Sequence, residues 1–372
     1  MNNIDNFFLN SIKTEKTTEQ FVGWACSYTP EELILAGGFL PLRILGEQKP
    51  FKAESYFPTN FCPFIKSIWE DILNNQNKLK AMIFTNSCDG MRRLYDICST
   101  YSSKIPSFLL DVPRIKNQLA LDHFTYNLSK MAEFMETLKK DKSENSKINN
   151  SDIKNAVKLI NKKRELLKEL TLCYKNTQNL INAQTYYKIM EISMTSDPYI
   201  FIEDLKKYIN IANESRINNN VIEMPPDIMI IGNFINEEAL WKIISELNFK
   251  ISADDLCNSS RYYEKKVEIN DSSNRDIIKS IAYRYLNKPQ CMRMANLGLK
   301  LEEINKSIAE NKIKGVIFIS QKFCDNTLLF YPILKQNLAE INIPGLFIEI
   351  EHNNFSTGQI KTRIQAFLEM IP

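Results

Sequence analysis

Two blocks of short apolar runs, each run separated from the next by a helical stretch, constrain this chain more than any other feature. In the first block the runs are FLPLRIL (39–45), AMIFT (81–85) and SFLLDV (107–112). In the second they are DIMIIGNF (227–234), FKISA (249–253), GVIFIS (315–320) and GLFIEIE (345–351). Runs of this length bounded by polar turns read as buried strands, and strands that alternate with helices imply parallel sheets. Between the blocks, from about 116 to 220, the periodicity is helical with almost no strand signal. With 372 residues, enough for about two domains, the expected class is α/β. Two α/β domains with parallel, flavodoxin-like or Rossmann-like sheets should occupy 1–115 and 221–372, with a helical insertion over 116–220.

Local signals refine this outline. Thr29-Pro30-Glu31-Glu32 reads as a helix start, with Thr29 as cap, Pro30 at the first helical position and Glu32 closing a capping box. That helix should stop at Gly37-Gly38. Ser196-Asp197-Pro198 restarts a helix, and Asn354 to Thr357 can cap the last one. The polar, lysine-rich stretch 138–155 is expected to be an exposed helix end and a turn.

Composition excludes several functions. Lys+Arg 47 against Asp+Glu 44 gives a net charge of +3 with no basic stripe interleaved with aromatics, so no nucleic-acid partner is expected. No run approaches the roughly 18 apolar residues of a membrane span, and the first twenty residues lack a leader pattern; a cytoplasmic protein without a membrane partner is expected. The ten glycines include no two spaced as a G-x-G-x-x-G or G-x-x-x-x-G-K-[ST] motif requires. Any ATP this protein needs must therefore be hydrolysed by another chain. His123 and His352 are the two histidines, too few for a histidine-rich metal site.

The eight cysteines carry the chemistry. At this length the core needs no disulfide framework, so they are buried thiols, a catalytic thiol or metal ligands. Cys88 lies just past AMIFT, Cys257 just past FKISA and Cys324 just past GVIFIS. In open α/β sheets ligands bind beyond the carboxyl ends of the strands, so cysteines at strand ends in two domains point to one cleft. Cys88-Asp89 and Cys324-Asp325 both stand where a strand gives way to a helix, near its positive end. No C-x-x-C exists, as local zinc pairs or a ferredoxin run would require. What remains is two loose triplets, Cys26/Cys62/Cys88 and Cys257/Cys291/Cys324. Three thiolates on a cubane leave one iron open, which means reactivity rather than electron storage alone.

The segments GWACSYTPEELILAGGFLPLRILG, NFCPFIKS, NSCDGMRRLYD, DDLCNSSRYYE, QKFCDN and IPGLFIEIEHNNFSTGQIKTRIQAFLEM together resemble the 2-hydroxyacyl-CoA dehydratase / benzoyl-CoA reductase D-subunit superfamily over about residues 21–372. In the dehydratase subunits of that superfamily three cysteines hold one 4Fe-4S cluster, and the matching positions are Cys62, Cys88 and Cys324. In its double-cubane branch six cysteines hold an 8Fe-9S cluster, and cysteine also stands at the further matching positions Cys26, Cys257 and Cys291. The resemblance thus implies a metal- and cofactor-binding set of Cys26, Cys62, Cys88, Cys257, Cys291 and Cys324, with the cluster in the interdomain cleft and catalysis at its open or bridging irons. It further implies a homodimeric, anaerobic iron-sulfur oxidoreductase acting in electron transfer. Its partner would be a 4Fe-4S ATPase of the acetate and sugar kinase/Hsp70 type, and its substrates small inert molecules. The alternatives are the 4Fe-4S subunit of a 2-hydroxyacyl-CoA dehydratase and a non-catalytic cluster carrier.

Other residues attract bland readings. Cys98 and Cys173 fall outside the motifs and read as buried thiols. Glu349 and Glu351 suit a strand-end structural role better than proton donation. Of Arg92 and Arg93, one is expected to pack or pair internally and the other to face solvent. Ser87 can either donate to a cluster sulfide or cap the following helix. Trp24 and Tyr28 read as core that also shields a cluster from water, and His352 receives no role.

Overall fold

The computed structural model describes residues 7–8, 21–102, 104–139, 147–176, 181–216, 226–247, 249–269 and 273–371. Part of the lysine-rich stretch 138–155, the residues before 21 except 7 and 8, and the expected boundary at 220 lie outside them.

Two four-stranded parallel sheets are present. The first contains β1 (Phe21–Trp24), β2 (Leu40–Arg43), β3 (Leu79–Thr85) and β4 (Ser107–Leu110) in the order β2-β1-β3-β4. The second contains β5 (Asp227–Gly232), β6 (Lys250–Asp255), β7 (Gly315–Gln321) and β8 (Gly345–Ile350) in the order β6-β5-β7-β8. The order is the same in both, and the chain reverses direction across each sheet between its first and third strands. Those two positions are the crevices where open α/β sheets bind ligands. The expected α/β class with two domains is therefore observed. The strand that the sequence did not announce is β1, four residues in the middle of the first sheet, in register with Met82 and Leu42 at Gly23.

Helices cover the sheets and join them. Between the strands of the first half lie α1 (Glu31–Ala36), α2 (Pro63–Asn74) and α3 (Asp89–Tyr101). The middle of the chain forms α4 (Gln118–Thr137), α5 (Asn150–Asn176), α6 (Ala183–Thr195) and α7 (Pro198–Arg216). The second half adds α8 (Glu238–Glu246), α9 (Ser260–Tyr263), α10 (Asn274–Asn287), α11 (Leu297–Glu310), α12 (Asp325–Glu340) and α13 (Thr357–Glu369). One apolar cluster runs from Val22 and Trp24 of the first sheet through the middle helices to Ile228 and Ile317 of the second. No helix among the described residues is long and apolar enough to cross a membrane.

The start of α1 departs from expectation. Pro30 is its cap position, no side chain caps it, and Thr29 Oγ1 is buried without a partner. Glu32 closes no capping box because Arg164 claims it, Nη2 to Oε1 2.6 Å, and Tyr285 donates its hydroxyl to Oε2 at 2.9 Å. Glu31 beside it accepts from Lys163 Nζ at 2.9 Å and from the Tyr262 hydroxyl at 2.8 Å. The cause lies in α5, where Ile153, Val157, Ile160, Leu167 and Leu170 form a buried stripe on which Lys163 and Arg164 also fall. Buried cations need buried anions, and α1 supplies them. At the other end α1 stops as expected, with Gly38 at φ +84°. Ser356 is the cap position of α13, again without a side-chain bond.

Candidate functional site

Three cysteines stand at helix starts. Cys62 is the cap residue of α2, followed by Pro63, whose missing N–H suits the first helical position. Cys88, three residues past β3, caps α3 with its own sulfur, which accepts from the Met91 N–H at 3.4 Å. Cys324, three residues past β7, is the cap residue of α12 and accepts from Asn233 Nδ2 at 3.1 Å. Positive helix ends and N–H donors aimed at sulfur favour thiolate ligands.

The other three lie on loops that face these helix ends. Cys26 follows β1 by two residues. Cys257 follows β6 by two, its N–H donating to the Asn233 carbonyl at 2.9 Å while its own carbonyl accepts from Arg43 Nη1 at 3.1 Å. Cys291 sits between α10 and α11, its carbonyl accepting from Met294 N–H at 3.0 Å. All six are half-buried and none is in a disulfide.

The fold regroups the six. Cys62 and Cys88 both stand in the field of Cys324, and Cys62 in that of Cys88. Cys257 and Cys291 lie within hydrogen-bonding reach of each other, and Cys26 shares with them the surroundings of Arg43 and Lys288. Cys88 also feels Cys26 and Cys291, so the sets adjoin. These couplings cut across the triplets suggested by chain order: Cys324 of the second half joins Cys62 and Cys88, and Cys26 of the first half joins Cys257 and Cys291 around Lys288.

Burial holds Cys62 and Cys88 protonated until something replaces the proton. Desolvation, with Cys324 adding to it, pushes Cys62 well up, and desolvation pushes Cys88 up to about 12. Cys291 is the exception: the hydrogen bond from the Cys257 thiol holds it well below the usual range, helped by Arg261 and Arg293. Metal binding to such a set must release protons.

The set suits an iron-sulfur cluster better than a single ion. Among the described residues no three His, Cys, Asp or Glu side chains gather as the ligands of one metal ion would. A cluster attaches each thiolate to a different iron, so its ligands spread more widely, and six thiols with no nitrogen or carboxylate donor among them match the ligation of such clusters. Asn233 Oδ1 and both amide atoms of Gln321 are buried without partners beside Cys324. Phe64 and Phe234 stack at 4.6 Å next to Cys62 and Asn233, and Trp24 stacks on Tyr262 at 6.1 Å near Cys26. These rings are buried, and Trp24 and Tyr28 are core residues as expected.

The remaining candidates fall outside. Cys98 and Cys173 are buried as expected, Cys98 beside Ser107 Oγ at 3.4 Å and Cys173 beside Asn213 at 3.3 Å. Arg92 and Arg93 are both exposed, contrary to expectation, because α3 turns its Met91, Leu94 and Cys98 face inward; Arg93 pairs with Asp96 at 2.7 Å. Glu351 pairs with Lys322 at 3.2 Å and Glu349 is exposed on β8. Ser87 does not cap α3, since Cys88 does; its hydroxyl accepts from Thr85 Oγ1 at 2.8 Å. His352, without a role from sequence, is buried between Gly46 of the first domain and Glu237 of the second, Nδ1 to Oε1 2.7 Å, and so ties the domains together. Sequence reasoning also missed Arg43, Lys288 and Arg293, which are buried around the cysteines. A visible signal existed: Arg43 interrupts an apolar strand, and Lys288 and Arg293 flank Cys291.

Comparison with known proteins identifies the family. The family model described as 2-hydroxyglutaryl-CoA dehydratase, D-component, matches residues 26–371. The (R)-phenyllactyl-CoA dehydratase beta subunit of Clostridium sporogenes is 26% identical, with 100% of both chains covered. The lactoyl-CoA dehydratase subunit beta of Anaerotignum propionicum is 24% identical over 98% of this chain and 94% of its own. A benzoyl-CoA reductase subunit of Thauera aromatica is 22% identical over 96% of this chain and 92% of its own. With the match spanning the cysteines and both sheets, the chain belongs to the 2-hydroxyglutaryl-CoA dehydratase D-component family.

Proposed function

We propose that this chain is a low-potential iron-sulfur reductase in which Cys26, Cys62, Cys88, Cys257, Cys291 and Cys324 hold an 8Fe-9S double-cubane cluster. What supports the reading is that six half-buried free thiols from both halves of the chain lie in one another's electrostatic field, Cys62 and Cys88 with Cys324, and Cys257 with Cys291. Three thiolates on each cubane with one sulfide between them is the ligand count that six cysteines satisfy. Such a cluster supplies low-potential electrons to a small, inert substrate. The chain's own part is to supply the thiolates, to tune them through the N–H of Met91 on Cys88 and the amide of Asn233 on Cys324, and to keep water out with Trp24, Phe64 and Phe234. Electrons would come from a separate ATP-hydrolysing 4Fe-4S protein of the acetate and sugar kinase/Hsp70 type, in keeping with the missing phosphate-loop glycines. We expect the chain to act as a homodimer in the cytoplasm of an anaerobe.

A second reading is favoured by the relatives. Two of them are named as beta subunits of acyl-CoA dehydratases, and the Cys62/Cys88/Cys324 set alone would hold one 4Fe-4S cluster in such a subunit, beside an unlike partner chain and a 2-hydroxyacyl-CoA substrate. Iron and acid-labile sulfide per chain, measured on anaerobically purified and reconstituted protein, separate the two. About eight irons with nine sulfides support the double cubane, falling to about four when Cys257 is replaced by serine. About four irons, unchanged by Cys257→Ser, support the dehydratase reading, and no iron refutes both. Turnover with the ATPase and a reductant excludes a cluster carrier.

A further inference from the structure

Three cationic side chains are buried against the cysteines with no carboxylate within ion-pair distance among the described residues. Arg43 is 2% exposed; Nη1 donates to the Cys257 carbonyl at 3.1 Å and to Met194 Sδ at 2.9 Å, and Nε has no partner. Its guanidinium lies over the Phe234 ring at 4.4 Å and the Trp24 ring at 5.0 Å. Lys288 donates to the Ser27 hydroxyl at 3.0 Å and to the Ser27 carbonyl, and stands over the Tyr28 ring at 4.4 Å. Arg293 donates to three carbonyls, of Ser87 at 3.0 Å, Val112 at 2.8 Å and Pro113 at 3.1 Å.

Elsewhere this chain does not leave such charges alone. Lys163 meets Glu31, Arg164 meets Glu32, and Arg261 and Lys300 both meet Asp255 at 3.2 and 2.6 Å. Buried Arg284, which bonds carbonyls, shares the field of Glu32. A buried basic group without an anion costs several kcal/mol or gives up its proton, and burial pushes Lys288 well below the usual lysine range, while Arg43 and Arg293 keep their guanidinium charge. Their opposite charges must therefore come from the site itself. The groups that face Arg43 are Cys257 and Cys26, with Tyr262 and Glu31 beyond ion-pair distance, and those that face Lys288 are Arg284, Cys26, Cys257 and Cys291. Of these thiols Cys291 is held toward the thiolate by Cys257, Arg261 and Arg293, one negative charge among three basic side chains, whereas a thiolate-ligated cluster is anionic throughout and gains further negative charge on reduction.

We infer that Arg43, Lys288 and Arg293 are the built-in counter-charge of the cluster, positioning residues that make the empty site costly and raise the reduction potential of the filled one. This rests on the cluster reading above. It assigns to the chain a role that ligand counting does not reach: the second cysteine set, Cys26/Cys257/Cys291, is held in a cationic shell, so the electron it receives is stabilised mainly from that side.

The test uses the full chain with Arg43→Met and Arg43→Lys. Three quantities are read: the melting temperature of the iron-free chain, iron and sulfide after anaerobic reconstitution, and the midpoint potential from an EPR-monitored redox titration. Arg43→Met should melt above wild type when iron-free, because a buried cation without an anion has been removed. The same variant should either titrate at a more negative midpoint or lose iron, and Arg43→Lys should restore wild-type loading and midpoint. A side chain with a merely structural role would lower the iron-free melting temperature and leave the midpoint where it was; that pattern, or any other than the expected one, overturns the inference. Lys288→Met provides the same readings where Arg43→Met does not fold. If wild type takes up iron and only the variants behave otherwise, the counter-charge role fails alone, whereas a wild type that takes up no iron removes the cluster reading with it.

Discussion

Replacing Glu32 by alanine should destabilise the iron-free chain by about 4 kcal/mol, and the structure sets that size. The carboxylate is fully buried, forms an ion pair with Arg164 Nη2 at 2.6 Å and accepts one hydrogen bond, from the Tyr285 hydroxyl at 2.9 Å. Hydrogen bonds to a charged group contribute about 1.5–3 kcal/mol each, and breaking a buried ion pair from one side costs about 3–5 kcal/mol. Alanine leaves Arg164 with Asn161 Oδ1 at 3.1 Å and Tyr285 at 3.2 Å, and Arg284 close by without the negative charge that reconciled the two cations. For 372 residues unfolding entropy near 60 °C is about 0.8 kcal/mol per degree, so the loss corresponds to a melting temperature lower by about 5 °C.

The pH dependence supplies the sharper check. Burial works to raise the Glu32 carboxyl, yet Arg164 and Arg284 outweigh it and hold the group below its usual 4.5. A depressed carboxyl contributes stability that is complete above the unfolded value and is lost as pH falls through the folded one. The gap between wild type and Glu32→Ala, measured by thermal melting, should therefore be constant from pH 5 to pH 8 and shrink below about pH 4. A shift under about 1 °C at pH 7, or a gap of the same size at pH 7 and pH 3, would refute the account of this ion pair.

Glu191 should behave in the opposite sense. Burial, with Glu47 and Glu238 nearby, pushes its carboxyl up to about 8 despite Lys188 at 3.7 Å, so the fold loses stability as pH rises from 4.5 to about 8. Glu191→Gln should melt at the same temperature as wild type at pH 4 and above it at pH 9, by at most about 5 kcal/mol in stability. Gly232→Ala, which would set a Cβ 2.6 Å from the Ile319 carbonyl at the end of β5, should destabilise by about 1–3 kcal/mol, read as a lower urea midpoint. It should also weaken iron retention, since Asn233 follows and bonds Cys324.

Seven of the eight strands were legible because each is a run of buried apolar residues between polar turns. β1 was not, although it lies in the middle of its sheet: FVGW is short, and its Gly23 looks like a strand breaker. The space over the glycine is filled by the Met82 side chain of β3, whose Sδ would stand 2.1 Å from a Cβ there. The failed capping box has a similar origin. Thr29 and Glu32 carry the local signature, but Arg164 lies 132 positions away, and nothing within one turn of helix reveals that a buried cation will claim the glutamate. What was visible is that Lys163-Arg164 interrupts the apolar stripe of α5. Cys88, Cys257 and Cys324 were found by their strand-end positions and the other three by family resemblance, whereas spacing along the chain alone sorts the six by domain and hides that Cys324 joins Cys62 and Cys88.

That regrouping follows from the repetition of one topology. Cys88 and Cys324 are equivalent positions of the two halves, each three residues past the third strand and each capping the next long helix ahead of an aspartate. Cys62 and Cys291 are equivalent as well, both lying between the second and third strands of their sheets. Facing the two reversal points toward each other brings Cys88 against Cys324, and Cys62 then completes one set with two thiols from the first domain and one from the second. The other set inverts the ratio, with Cys257 and Cys291 from the second domain and Cys26 from the first. Neither domain owns a complete set, so each set exists only while the domains are docked. The contacts that dock them, Glu31 and Glu32 with α5 and the tyrosines of α9 and α10, and His352 between Gly46 and Glu237, are thereby also what hold the six thiols in place relative to one another.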